Sequence, residues 1–277
     1  MTTLVAHYGR AVFVGLLGRL WQHRDLLREL VRRDLHEAYA GSVLSQAWAV
    51  LHPLLLVSLY GFVFGYVFTS QAGTDMPAEP DFAVFMLVGL ATWMTVQAAP
   101  AKAANSLVAS ANLVKQVVFP IELLPVRSVL AAHVPLLIGI AAVVAYSAAR
   151  FWMVSPLLPL AIYVIVAQLM LLTGVGLFLS ALTVYVRDTR DVVQVWSTVG
   201  IFLLPIIYPP GSLPHWFTLI LYANPFSYGI WCLQDVFFFG DFRHPLAWLM
   251  IGFLGLGALC FGYAFFERTR ENFGDVL

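Results

Sequence analysis

The chain has 277 residues, of which 61% are hydrophobic and only 11% charged, and its mean hydropathy is +0.84. This composition excludes a soluble globular domain and indicates a polytopic membrane protein. Fifteen basic residues balance fifteen acidic ones, so the excess positive charge typical of a nucleic-acid-binding protein is missing.

The first segment, 1–47, is predicted to be a cytoplasmic arm. Its early apolar run, 11–18, is too short for a secretory signal, and no cleavage site follows it. Residues 26–38 place leucines on one helical face and basic residues on the other, which predicts an amphipathic helix at the membrane interface. A simple membrane anchor is the alternative. The candidate residues of this interface gate helix are Leu27, Arg28, Leu30, Arg32, Arg33 and Leu35.

Six charge-poor windows follow, each near the roughly 20 residues that a membrane-crossing helix needs. They lie at 48–69, 82–101, 127–148, 157–183, 192–209 and 245–266. Lysine and arginine are retained on the cytoplasmic side, and a topology with both termini inside places thirteen of the fifteen basic residues there. We therefore predict an all-α membrane protein in which domain 48–277 holds six transmembrane helices, N-in and C-in.

The cytoplasmic loop 102–127 is longer and more apolar than a turn between two spans requires. Its segment "NLVKQVVFPIELLPVRSVL" is bracketed by two prolines, and we expect Lys115 and Glu122 to be exposed. This pattern predicts a docking element for a partner that supplies energy. The coupling candidates are Lys115, Phe119, Pro120, Glu122 and Pro125, with Arg187 and Asp188 as second candidates that an ordinary charged loop explains nearly as well.

The stretch from Val192 to Gln234 contains 43 residues without a charge, so two full crossings would fit. That seven-span alternative places twelve basic residues inside and three outside, and the charge rule barely separates the two topologies. Proline breaks a helix, and non-helical backbone at membrane depth must be buried in protein or face a water-filled cavity. We therefore favour an external re-entrant hairpin within 209–240, with Gln234 on the external side. Its gate candidates are Pro209, Pro210, Gly211, Pro214, Trp216, Pro225 and Gly229, the two glycines being the expected hinges.

No catalytic or metal-binding motif is found. The only two lysines, Lys102 and Lys115, do not stand in a phosphate-binding loop, so the chain cannot hold ATP in that way. The six windows contain no Asp or Glu away from their ends, which disfavours proton coupling. The energy for any transport is therefore expected to come from a partner, and the two cysteines, Cys232 and Cys260, are expected to form no disulfide.

Five pieces of the sequence, in this order, resemble the membrane subunit of type-2 ABC exporters, within them the permeases for O-antigen, capsule and teichoic acid. The pieces are "LVRRDLHEAYAGSVLSQAWAVLHPLL", "NLVKQVVFPIELLPV", "VYVRDTRDVVQVW", "YPPGSLP" with "YANPFSYG", and "ERTRENFGDVL". The resemblance implies two copies of this chain in the bacterial inner membrane, two separate ATPase subunits that bind ATP and Mg, and a lipid-linked glycan as substrate. It assigns no cofactor to this chain itself, and the first thirty residues have no clear counterpart.

Aromatic residues recur at helical spacing in the first span. Rings in such a row could line a path on which sugar rings stack. An equally supported alternative is that they face lipid or pack against other helices. The channel candidates are Tyr60, Phe62, Phe64, Tyr66 and Phe68. Export of drugs or lipids on the same scaffold is the nearest alternative function. A secondary carrier or a membrane-embedded enzyme is a distant one.

Overall fold

A computed structural model describes residues 15–37, 47–62, 82–116, 120–151, 155–208 and 213–276. These residues form helices joined by turns, without a β-strand among them, as the sequence predicts. The helices are α1 (15–22), α2 (Arg24–Glu37), α3 (Ala47–Phe62), α4 (Phe82–Ala109), α5 (Ala111–Gln116), α6 (Leu123–Phe151), α7 (Ala161–Tyr185), α8 (Thr189–Val199), α9 (His215–Ala223), α10 (Ser227–Gln234), α11 (Pro245–Thr269) and α12 (Phe273–Val276).

Four stretches of helix are long and apolar enough to cross a bilayer. They are Val84–Ala109, Leu123–Ala148, Leu158–Tyr185 and Pro245–Asn272. A helix satisfies its own backbone hydrogen bonds, which is the condition for crossing hydrocarbon. These stretches coincide with the second, third, fourth and sixth predicted spans.

The fifth predicted span differs from the expectation, and the first is described only in part. Within the first window, 48–69, the structure describes a helix only as far as Phe62. The fifth window, 192–209, is not one continuous helix: α8 ends at Val199, a 3₁₀ turn covers Gly200–Leu203, and Leu204 is extended. Pro205 follows directly, and its missing N–H and fixed ring prevent the helix from continuing.

Helices α7 and α11 cross with their backbones in direct contact. A Cβ atom on Gly174 would overlap the carbonyl group of Ala258, and one on Gly262 would overlap the carbonyl oxygen of Gly174. A Cβ on Gly255 would lie 2.6 Å from the carbonyl oxygen of Ala167. Close approach of two apolar helices through small residues is the usual packing inside a membrane, and this crossing forms the frame of the bundle.

The described parts of the N-terminal arm and the C-terminal tail lie at the same end of the bundle. Arg19 contacts Glu267 near the end of α11, and the hydroxyl of Tyr185 donates to the carbonyl oxygen of Thr269 at 3.1 Å. A topology with both termini on the same side of the membrane requires this arrangement.

At the opposite end, α9 and α10 form a hairpin that turns inside the bundle. Phe226, at the turn, packs against a buried cluster that includes Ala99 and Leu172, from the interiors of α4 and α7. The side chain of Asn224 holds this turn, because its Nδ2 donates to the Leu203 carbonyl oxygen at 3.0 Å and its Oδ1 accepts from the Phe226 N–H at 3.1 Å. All eight residues of α10 are buried.

Candidate coupling, gate and pathway residues

The predicted coupling segment reaches the end of the bundle where α4 stops and α6 begins. Lys115 is exposed in the last turn of α5, whereas Phe119 lies outside the described residues. Pro120 opens the turn into α6, and Pro125 is buried in its first turn. The expectation that Glu122 is exposed is wrong: it is 1% exposed, because Arg19 approaches its carboxyl group at 3.2 Å and offsets the charge.

The second coupling candidates, Arg187 and Asp188, are exposed in the turn between α7 and α8. This turn lies at the same end as Arg19 and Glu122, since α7 ends there beside the end of α11. Both charged side chains are therefore accessible to a partner protein at this end of the bundle.

The predicted interface gate helix corresponds to α2, and its leucines are half-buried while its arginines are exposed. Leu27, Leu30 and Leu35 have intermediate exposure, and Arg28, Arg32 and Arg33 are exposed. Local ion pairs hold two of the arginines: Arg28 with Asp25 at 3.6 Å and Arg33 with Glu37 at 2.6 Å. The Arg33 hydrogen bond lowers the pKa of the Glu37 carboxyl group.

One ion pair attaches α2 to the bundle, and the sequence did not single it out. Asp34 lies 3.5 Å from Arg127 at the start of α6, with both side chains 17% exposed. Burial raises the pKa of Asp34, and the attraction of Arg127 opposes that shift without cancelling it. At this length the pair is weak compensation for the lost hydration of the carboxyl group.

Most of the predicted channel aromatics lie outside the part of the chain that the structure describes. Phe64, Tyr66 and Phe68 lie outside the described residues, and the side chain of Tyr60 is not described. Phe62 ends α3 with 60% of its side chain exposed. Their role along the substrate path therefore stays a prediction.

The predicted external gate coincides with the hairpin, although Pro209, Pro210 and Gly211 lie outside the described residues. Pro214 precedes α9 with extended backbone, Trp216 is 64% exposed in its first turn, and Pro225 lies in the half-buried turn.

Two residues of α10 bear on the gate prediction. Gly229 is buried in this helix, where a Cβ would meet the Gln168 side chain at 3.6 Å, an ordinary contact distance. Gln234, expected to face the external side, is fully buried instead, because its Nε2 donates to the Pro205 carbonyl oxygen at 2.8 Å.

A buried acid fixes the outer end of this hairpin, and sequence reasoning missed it. Asp235 is fully buried and accepts from the His244 N–H at 3.0 Å and from the Trp248 indole at 3.0 Å, while its Oδ1 lies 2.7 Å from the His244 Nδ1. The His244 ring also stacks on Trp231. The available signal was that Asp235 is the first charge after 43 uncharged residues, followed closely by a histidine and a tryptophan.

Helix α8 exposes a polar stripe beside the middle of a bilayer-length helix. It packs on α4 through Trp196, whose ring is 5.5 Å from that of Trp93, and through the Ser197 hydroxyl, which donates to the Gln97 carbonyl oxygen at 3.2 Å. Three polar side chains on the opposite side, at helical spacing, are exposed: Asp191, Gln194 and Thr198. Polar side chains at membrane depth normally face protein or water rather than lipid.

The polar stripe leads into a cavity at the end that carries α2. The cavity has a volume of about 460 Å³ and is lined by charged and polar side chains from α2, α4, α6 and α8. Among them are Asp34, Lys102, Asn105, Arg127 and Gln194. The helices therefore bring α2 and a polar cavity together at this end of the bundle, and Gln194 connects the cavity to the exposed face of α8, which also carries Val192 and Val195.

The family model described as "ABC-2 type transporter" matches residues 25–238, and the chain belongs to this family. It is thus a multi-pass membrane permease, a transport subunit. Among curated proteins it is similar to two O-antigen export system permease proteins RfbA of Klebsiella pneumoniae, with 25% and 24% identity over 91% of this chain and 95% of each relative. It is also similar to the O-antigen export system permease protein RfbA of Myxococcus xanthus, with 27% identity over 95% of this chain and the whole of that relative.

Proposed function

We propose that this chain is the membrane subunit of an ATP-driven exporter that moves a lipid-linked polysaccharide across the bacterial inner membrane. Three curated relatives named as O-antigen export permeases align with almost the whole chain, which is the observation that carries this proposal. Two copies of the chain and two separate ATPase subunits make up the transporter, and ATP and Mg bind to the ATPase subunits.

The exposed stripe of α8 supports a hydrophilic path in such a transporter. Gln194 and Thr198 would face hydrocarbon in a single copy, and a second copy placed beside α8 would enclose them instead. A sugar polymer needs such a surface, because its hydroxyl groups exchange hydrogen bonds with water and polar side chains as it moves.

The predicted regions take their roles within this transporter. Domain 1–47 supplies the interface helix at the entrance, and domain 48–277 supplies the membrane-spanning bundle. Loop 102–127 docks the ATPase subunit, and segment 209–240 forms the external gate.

Surface polysaccharide in a deletion strain tests the function. The strain should lack the polymer at its surface and accumulate it, still lipid-linked, inside the cell. The wild-type gene should restore export only when co-expressed with a catalytically active ATPase subunit. Normal surface polysaccharide in the deletion strain, with altered sensitivity to drugs or detergents, would assign the chain to another substrate.

Thiol labelling tests the path separately. In a variant lacking Cys232 and Cys260, a cysteine at Thr198 should react with a water-soluble reagent, while one at Phe253 should not. Phe253 is the matched control because it is 74% exposed on an apolar face of α11. Equal labelling at both positions would remove α8 from the path.

A further inference from the structure

Helix α1 packs against three segments that are far apart in the sequence. Leu16 is 1% exposed and belongs to a buried cluster with Leu107 at the end of α4, Leu124 at the start of α6, and Phe273 in the C-terminal tail. Leu20, one turn further along α1, packs against the same cluster. The N-terminal helix is thus part of the packed end of the bundle rather than a free arm.

Arg19, between these two leucines, forms ion pairs that join the turn before α6 to the end of α11. Its Nη1 donates to Glu122 Oε1 at 3.2 Å and to Glu267 Oε1 at 2.8 Å. Glu267 has a second cation, Arg270, at 2.8 Å. For Glu122, the other carboxyl oxygen, Oε2, is buried and has no hydrogen-bond partner among the described residues.

The two carboxyl groups therefore depend on Arg19 to different degrees. Glu267 is 30% exposed and keeps Arg270 when Arg19 is removed, whereas Glu122 is 2% exposed at its side chain and loses its ion-pair partner. A buried charge without a partner is strongly unfavourable. Without this cation, Glu122 either takes up a proton or moves toward water, and a movement toward water would displace the turn at 120–122 as well.

We infer that Arg19 is a positioning residue for the ATPase-docking segment. It holds the turn at 120–122 against the end of α11, so that a displacement of the docking segment reaches α11 as well as α6. This inference rests on the proposed function for the role of loop 102–127, but the contact itself can be tested without it. Through Arg19, helix α1 would then contribute to the coupling between the ATPase subunit and the membrane helices.

Hydrogen exchange of the purified permease in lipid nanodiscs tests the contact. In Arg19→Ala, the amides of 121–126 should exchange about tenfold faster, because charge-assisted hydrogen bonds to a buried carboxyl group are lost. Arg24→Ala is the matched control: Arg24 is exposed on the next helix and contacts only Trp21 in the described structure. Unchanged exchange at 121–126 in Arg19→Ala, or an equal rise in the α9–α10 hairpin, would overturn the inference.

A double-mutant cycle identifies the partner. Glu122→Gln removes the buried charge while keeping the shape of the side chain, so adding Arg19→Ala to it should accelerate exchange less than Arg19→Ala does in the wild-type chain. Fully additive effects would show that Arg19 acts on the turn through some other contact and would overturn the assignment.

Coupling is then measured in the transporter reconstituted with its ATPase subunits. Arg19→Ala should lower the amount of glycan exported per ATP hydrolysed severalfold while the complex assembles normally, and Arg19→Lys should recover part of the loss. Normal export per ATP in Arg19→Ala would overturn the positioning role. A wild-type complex that exports no glycan would refute the proposed function instead, and the exchange experiment would still decide whether Arg19 holds the turn.

Discussion

Replacing Asp235 with alanine should destabilise the hairpin end of the permease more than any exposed charge replacement. The carboxyl group accepts hydrogen bonds from the His244 backbone and the Trp248 indole, and its Oδ1 contacts the His244 ring, so alanine would strand three donors. With about 1–1.5 kcal/mol for each of the three lost hydrogen bonds, the total loss is about 3–4.5 kcal/mol. For a chain of this size we expect a fall in melting temperature of roughly 5–10 °C.

Asparagine at the same position should cost much less, about 1 kcal/mol. Its oxygen can replace Oδ2, which accepts from both His244 N–H and Trp248 Nε1, and its amide can donate to His244 Nδ1 in the other ring tautomer. Asparagine keeps the shape of the side chain and loses only its charge, whereas alanine removes the whole carboxyl group and with it every hydrogen-bond acceptor of the site.

Thermal unfolding in detergent, followed by intrinsic fluorescence, provides the measurement, because Trp231 and Trp248 lie next to the site. Asp241→Ala is the matched control: its carboxyl group is 59% exposed and pairs only with Arg243 in the described structure, a type of pair that contributes little. An Asp235→Ala variant melting within about 1–2 °C of the wild type, or an asparagine variant as unstable as the alanine one, would refute the reasoning.

Three further predictions concern other parts of the chain. Gly174→Ala should abolish the monodisperse peak of the folded permease in size-exclusion chromatography, because the added Cβ would overlap Ala258. Gly257→Ala is the control and should elute as the wild type, since a Cβ there meets nothing within 4 Å. Elution of both variants as the wild type would refute the tight crossing. In a variant without native cysteines, an impermeant thiol reagent applied to outer-membrane-permeabilised cells should label Phe242→Cys and not Arg268→Cys, and the reverse result would invert the topology. Burial raises the pKa of Asp34 above its usual value near 3.8, so the ionised carboxyl group destabilises the folded state as the pH rises through this range and has no such effect at lower pH. Asp34→Asn should therefore keep or raise the melting temperature at pH 7. Glu37→Gln removes a carboxyl group of lowered pKa and should lower the melting temperature slightly. A clear loss in Asp34→Asn would show that Arg127 outweighs the burial.

The sequence predicts the long helices well because a membrane imposes one simple condition, a sufficient run of apolar residues. The fifth window meets this condition, yet it does not form a single long helix. Val192 and Ile207 are equally apolar, and composition does not show that the chain turns at Gly200 and extends at Leu204. Pro205 is the one local sign of the break, and it lies inside an apolar run that hides it.

The error at Glu122 has a different cause. A charged residue between two prolines in a loop is usually exposed, and only a cation brought from 103 residues away allows it to be buried. Pairings of this kind depend on how helices assemble, so a single sequence carries no trace of them. The short pair of helices between Pro214 and Gly240 was predictable. The position of Asp235 in the sequence was a signal for an acid at their outer end, but the hydrogen bonds it accepts were not predictable, since they form only when the following residues fold against it.

The position of Asp235 has a consequence for the biogenesis of the protein. The hairpin contains no charged residue that could anchor it on one side during insertion, and its walls are α4, α7 and α11, the last of which is synthesised after it. The acid takes its hydrogen bonds from His244 and Trp248, at the very start of α11. We therefore expect α9 and α10 to settle only once α11 has entered the membrane, so that truncation before Pro245 removes Trp248 and the wall formed by α11, leaves the uncharged segment 192–234 without a stable position and exposes the nascent chain to proteolysis.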